Sequence, residues 1–200
     1  MKPDLKYLLS AGLLAAVIAA PAAAALKEGA IAPDFTAPAS LDGKPFDYSL
    51  KEALKLGPVV VYFYPSAYTG GCNIQAHTFA VNHERFTAAG ATILGVSLDS
   101  IDRLNAFSAD PAYCAGKIIV ASDADGAIAR AFDLQVREVG DGKKDTRGAE
   151  IRHGLAERTT FIVTPNGRIA AALSGLKPAD NVEQSLKAVQ QLGVSPSAGR

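Results

Sequence analysis

The chain has 200 residues, 48% of them hydrophobic and 20% charged, a composition that suits one globular domain with a sizeable core and excludes a disordered chain. Its 20 Lys and Arg balance 20 Asp and Glu, and no basic cluster is interleaved with aromatic residues, so the electrostatic footprint of a nucleic-acid binder is missing.

Lys2 and Lys6 precede an uncharged run over residues 7–25 that ends in Ala23-Ala24-Ala25, a small-residue pattern of the kind signal peptidase cleaves. The run is long enough to anchor in a bilayer, but Pro21 and the alanines after it suit a processed leader better than a stop-transfer helix. Residues 1–25 are therefore read as a signal peptide cleaved after Ala25. Export to the periplasm or the medium is expected, with no stable membrane association afterwards. What remains is one domain over 26–194 and a polar tail over 195–200, together holding 18 basic and 19 acidic side chains. In such compartments two thiols left alone tend to become a disulfide.

Residues 26–55 read as short extended pieces with turns at Ala32-Pro33-Asp34 and Leu41-Asp42-Gly43, then a helical turn over 50–56. Residues 58–64 are β-branched, apolar or aromatic at almost every position, as in a strand covered on both faces. From Gly71 the pattern changes: Ala76, Phe79, His83 and Phe86 recur at three- and four-residue steps and predict a helix stopped by Gly90. Strands over 92–96 and 117–121 then alternate with helices over 100–109 and 124–132, the latter capped by Asp123 or Asp125. Residues 135–157 carry four glycines and dense mixed charge, which predicts an exposed, solvated hairpin or mobile loop; its nearness to Arg158 leaves a gating or docking role open. Strands over 159–163 and 168–172 flank Thr164-Pro165-Asn166-Gly167 as an antiparallel hairpin. A last helix over 177–192 sets Val182, Leu186, Val189 and Leu192 on one face. The order βαβ then ββα gives an α/β, thioredoxin-like fold with a central mixed sheet flanked by helices.

Cys72 falls in the first turn of the helix that begins at Gly71, where unpaired N–H groups and the macrodipole favour the nucleophilic thiolate. The plain alternatives are a small buried hydrophobe or half of a structural disulfide. His77, five residues on, points about 140° away on a helix, which argues against a Cys–His pair. His77 and His83 read as surface or half-buried histidines, and His153 in the charged loop gives no signal alone. Gly70-Gly71 is not followed by the Lys-Ser/Thr of a phosphate loop.

Pro65, Thr69 and Cys72, spaced as Pro-x-x-x-Thr-x-x-Cys, resemble the active-site signature of the peroxiredoxins. Ala32-Pro33-Asp34-Phe35, Tyr62-Phe63-Tyr64-Pro65, Gly95-Val96-Ser97, Ala121-Ser122-Asp123 and Arg158-Thr159-Thr160-Phe161 follow in that family's order. The resemblance spans about residues 29–192. It is nearest to the Q-type, bacterioferritin-comigratory branch of the alkyl hydroperoxide reductase and thiol-specific antioxidant group. It implies a thiol-dependent peroxidase acting on hydrogen peroxide and small organic hydroperoxides, with no metal or organic cofactor, as a monomer or homodimer recycled by a thioredoxin-like protein reductant. Cys72 would be the peroxidatic cysteine and Thr69 would offer its hydroxyl to thiolate and peroxide. Pro65 would shield the site from water, and Arg158 would supply the fixed positive charge; without the resemblance Arg158 reads as a surface arginine. The branch often carries its resolving cysteine five residues past the peroxidatic one, where this chain has His77. Other members resolve from the helix after the next strand, so Cys114, in Asp110-Pro111-Ala112-Tyr113-Cys114, is expected to close an intramolecular disulfide once the Cys72 turn unwinds. An ordinary buried thiol stays open for it. Gln75 and Ala80 stand where the family usually has an acidic residue and often an arginine, which leaves Arg158 and the helix terminus to activate the thiolate. The competing reading is a thioredoxin-fold copper carrier or redox sensor using Cys72, Cys114 and a histidine as soft ligands.

Overall fold

A computed structural model describes residues 25–193. The expected leader up to residue 24 and the expected tail over 195–200 lie outside the described residues. In chain order the elements are β1 (Thr36–Leu41), β2 (Lys44–Ser49), α1 (Leu50–Leu54), β3 (Val59–Phe63), α2 (Gly70–Ala88), β4 (Thr92–Ser97) and α3 (Ile101–Ala109). There follow β5 (Ile119–Ser122), α4 (Ala127–Ala131), β6 (Val136–Arg137), β7 (Leu155–Ala156), β8 (Thr159–Val163), β9 (Ile169–Ser174) and α5 (Pro178–Gly193).

Local chemistry accounts for the elements that frame the site. Asp42 and Gly43 take φ of 51° and 75°, the paired left-handed conformation of a type I′ turn, and join β1 to β2 as a hairpin. All five residues of β3 are buried, and it lies between β4 and β8 in the interior of a seven-stranded sheet of order β2-β1-β5-β4-β3-β8-β9. β3, β4 and β5 run parallel through helical crossovers, and β8 pairs antiparallel with β3 and with β9. The predicted hairpin around Thr164-Pro165-Asn166-Gly167 is the β8–β9 connection. Alternation along β3 divides the core. Val60 and Tyr62 join Phe79, Phe86, Leu104, Phe107, Val182 and Leu186 on one face, and Val59, Val61 and Phe63 join Leu50, Leu54, Phe132 and Phe161 on the other. This mixed sheet with helices on both faces is the thioredoxin-like arrangement expected.

Two boundaries move for stated reasons. Gly126 at φ 72° delays α4 to Ala127, while Asp123 still caps it by accepting from the N–H groups of Ile128 and Ala129. Ala115 and Gly116 turn left-handed and Lys117 N–H donates to Cys114 O, so β5 starts at Ile119 instead of 117. Residues 135–157 form the expected exposed hairpin, with β6 paired to β7 and most side chains in solvent, but it is tied down and not free: Asp145, Ile151 and Ala156 are buried.

Candidate active site

The carboxyl end of β3 runs into Pro65, half-buried, and a short loop that delivers the chain to α2. Cys72 is the third residue of that helix and is buried. Its first-turn N–H groups have no intrahelical partner, and the helix dipole adds positive potential at the same end. From the first residue of the 158–159 step into β8, Arg158 reaches across: Nη2 donates to Cys72 Sγ at 3.2 Å, and Nη1 donates to Oε1 of buried Gln75, one helical turn on. Gly71 makes this approach possible, because a Cβ there would sit 3.2 Å from Arg158 Nη2 and 3.4 Å from Pro178 Cγ. A guanidinium with both donors committed is a fixed charge, suited to an anionic sulfur and to oxygens on which charge develops.

Thr69 precedes α2 with extended backbone, but its Oγ1 donates to Ser66 O at 2.8 Å and so is committed to the loop, not to sulfur. The expected Thr69 contact with the thiol is therefore not made here. Tyr68, just before it, is held at φ 60°, a conformation that costs a residue with a Cβ about 1 kcal/mol. What holds it is a buried polar knot. Fully buried Asp99 accepts from Ala67 N–H (2.7 Å), Ser66 Oγ (2.9 Å), Ser97 Oγ (2.8 Å) and Arg103 Nε (2.8 Å). It also pairs with His153 Nε2 at 2.9 Å.

Residues 143–153 act as a strap over this loop. Arg103 Nη2 bonds Asp145 at 2.5 Å, Thr146 N–H and Oγ1 both donate to Tyr68 O (2.8 and 2.7 Å), and Arg147 lies 3.5 Å over the Tyr68 ring while pairing with Asp110. Burial would lower the imidazole of His153, but the hydrogen bond and charge of Asp99 outweigh it and raise it above the ordinary value. Burial would likewise raise Asp99, yet His153 and the N–H and O–H donors around it hold its carboxyl below the usual range.

Cys114 is fully buried in the turn after α3, in the same apolar layer as Cys72, and both are free thiols. Burial, then the charge of Asp110, pushes its thiol far above the ordinary range. Phe107 links the two cysteine-bearing segments, its ring packing against Tyr68 at 5.0 Å and Tyr113 at 5.5 Å.

The structure thus brings Cys72 and Arg158 together, places Thr69 and Pro65 on the adjoining loop, and sets Cys114 in a neighbouring turn. Sequence reasoning missed Asp99, His153 and Asp145, whose links to one another and to the active-site loop span 32 to 87 residues, beside the short-range Ser97 and Arg103 contacts of Asp99, and leave no local periodicity. It also took Gln75 as a weakness, whereas Gln75 holds Arg158. His77 is exposed, as expected of a surface histidine. No group of three or more His, Cys, Asp or Glu among the described residues is placed to hold a metal ion, so the copper-carrier reading finds no support.

A thioredoxin-like sheet presenting a buried thiol at a helix start, in the grip of an arginine, defines the thiol-dependent peroxidases. Residues 29–172 match the AhpC/TSA family, and the chain belongs to it. Peroxiredoxin Bcp of Xanthomonas campestris is 34% identical over 132 residues, covering 66% of this chain and 76% of that protein. A solved structure of the bacterioferritin comigratory protein of Xanthomonas campestris, described for its alkyl peroxide reduction activity, is 31% identical with a TM-score of 0.61, covering 78% of this chain and 91% of that one. Peroxidoxin BcpB from Mycobacterium tuberculosis shares the fold, with 23% identity and a TM-score of 0.70 over 84% of this chain and 98% of that one. The protein is a peroxiredoxin of the kind its Bcp and Q-type relatives represent.

Proposed function

We propose that the protein is an exported peroxidase that reduces hydrogen peroxide and small organic hydroperoxides at Cys72, with Cys114 as its resolving cysteine. The observation that carries the reading is the 3.2 Å bond from Arg158 Nη2 to Cys72 Sγ at the start of α2. The sulfur electron pair forms an S–O bond to the terminal peroxide oxygen, the O–O bond breaks, and the leaving oxygen departs as hydroxide or alkoxide and takes a proton from water. Cys72 becomes a sulfenic acid. Because the Thr69 hydroxyl donates to Ser66 O, its oxygen is free to accept the O–H of the hydroperoxide and orient it. Pro65 limits access of water from the side of the loop.

Resolution requires the first turn of α2 to open, since a disulfide needs Cα atoms within about 7 Å. Cys114 then attacks the sulfenic sulfur and water leaves. A thioredoxin-like dithiol returns two electrons and two protons to restore both thiols. Export rests on the uncharged run and Ala23-Ala24-Ala25. It predicts that material recovered from a periplasmic extract begins at Leu26.

The test is the intact mass of pre-reduced protein seconds after one equivalent of hydrogen peroxide, beside Cys72→Ser and Cys114→Ser variants. Loss of two hydrogens in the parent, gain of one oxygen in Cys114→Ser and no change in Cys72→Ser are expected. A parent that stays unmodified on that timescale overturns the reading, and a parent that gains oxygen without forming the disulfide overturns the role of Cys114.

A further inference from the structure

Arg158 is oriented by Gln75, and an amide can present either its oxygen or its nitrogen. Only the oxygen accepts from a guanidinium; the NH2 group would leave Nη1 unpaired against another donor. Something must therefore fix which way round Gln75 sits, and Gln75 itself, fully buried on α2, cannot do so.

A second buried amide answers this. Asn181 on α5 is 1% exposed. Its Nδ2 donates to the main-chain carbonyl of Leu173 in β9 at 3.2 Å, and a carbonyl accepts only. That contact sends Oδ1 to the other side, where it accepts from Thr160 Oγ1 at 2.6 Å and from Gln75 Nε2 at 3.0 Å. With Nε2 so engaged, Oε1 of Gln75 faces Arg158 Nη1, leaving Nη2 on Cys72 Sγ. The polarity of one strand carbonyl is handed through two amides to the guanidinium. Turning either amide over would set donor against donor or oxygen against oxygen at more than one contact, among buried side chains.

We propose that Asn181 is a positioning residue for peroxide reduction, acting through Gln75 to hold Arg158 in register with Cys72; this rests on the proposed chemistry at Cys72. A carboxylate at position 75 has two oxygens and needs no such orientation. The role of Asn181 should therefore vanish in a Gln75→Glu background, which a purely structural role would not do.

The chain has no tryptophan, so the rate constant is read by competition for hydrogen peroxide against a peroxidase of known rate, together with the melting temperature of each variant. Asn181→Leu is expected to lower the rate constant about tenfold, the factor set by one hydrogen bond to a charged group. In Gln75→Glu, where a carboxylate oxygen faces Asn181 Oδ1 and no hydrogen bond joins them, the same change should cost less than about twofold or raise the rate. Asn181→Asp retains an acceptor for Gln75 and Thr160 and should stay within about threefold of the parent while melting lower, since its second oxygen now faces the Leu173 carbonyl. A folded Asn181→Leu that reacts at the parental rate, or that loses the same factor in both backgrounds, overturns the inference. Should Asn181→Leu not fold, a folded Asn181→Asp that falls tenfold overturns it equally. A parent without rapid peroxide reactivity removes the function reading itself, an outcome separate from these.

Discussion

Replacing His153 by Gln isolates the charge in the knot beneath the active-site loop. The His153 Nε2 to Asp99 Oδ1 separation is 2.9 Å, the carboxylate is fully buried, and the imidazole side chain is 20% exposed. Glutamine can still donate a hydrogen bond to the Asp99 carboxylate, so what is lost is the positive charge on the donor. Hydrogen bonds to charged groups contribute about 1.5–3 kcal/mol against about 0.5–1.5 kcal/mol for neutral ones. Because Asp99 keeps Ala67 N–H, Ser66, Ser97 and Arg103, the low end applies, a loss of about 1–1.5 kcal/mol. For a domain of this size that corresponds to a drop in melting temperature of about 2–6 °C.

The effect is tied to pH with a definite sign. His153 is raised in the folded protein, so its contribution is complete below the unfolded-state value of about 6.5 and is lost as pH rises through the folded value. Asp99 is held low, so its contribution is present above about 3.9 and is lost as pH falls through its folded value. At pH 5.5 both are charged; well above neutrality the imidazole is not. Thermal unfolding followed by circular dichroism, parent beside His153→Gln, should show the full gap at pH 5.5 and a gap that narrows as pH rises through the raised folded value of His153. A gap that stays constant across the whole alkaline titration, or no gap at pH 5.5, would refute the charge-based fastening.

Arg158→Lys should lower the second-order rate constant with hydrogen peroxide about a hundredfold, because an ammonium cannot hold Gln75 and the sulfur with two coplanar donors; competition kinetics checks it. Gly71→Ala should lower the same constant about tenfold with little change in melting temperature, since the added methyl displaces Nη2 by steric contact at 3.2 Å while alanine favours the helix. Arg147→Ala removes the stacking on Tyr68 and the pair with Asp110, together worth about 1 kcal/mol. Quenched-flow mass spectrometry should then find disulfide formation after oxidation about fivefold faster than in the parent.

Much of this molecule was legible where neighbours in sequence decide the outcome. The run over 58–64 announces β3, Asp42-Gly43 and Pro165-Asn166-Gly167 mark their hairpins, and the Gly70-Gly71-Cys72 step places the thiol at a helix start. The strap was not legible for a physical reason. In Lys143-Lys144-Asp145-Thr146-Arg147 the two lysines are exposed as the composition suggests, whereas Asp145 pairs with remote Arg103 and Arg147 with Asp110 and the Tyr68 ring. Burial of a charge is decided by its partner, and pairing over 32 to 87 residues has no period. Gln75 shows the same limit from the other side, since its worth depends on Asn181, 106 residues away.

The bond between Arg158 and Cys72 is consumed by the reaction it prepares. An anionic sulfur is a strong acceptor for the guanidinium; the neutral sulfenic acid that replaces it is a weak one. Each turnover therefore weakens one of the attractions on the start of α2, the segment that the proposed resolution by Cys114 must open next. Tyr68, held at φ 60° against its own preference, stores strain in the adjoining loop. On that proposal oxidation serves as its own unlocking signal.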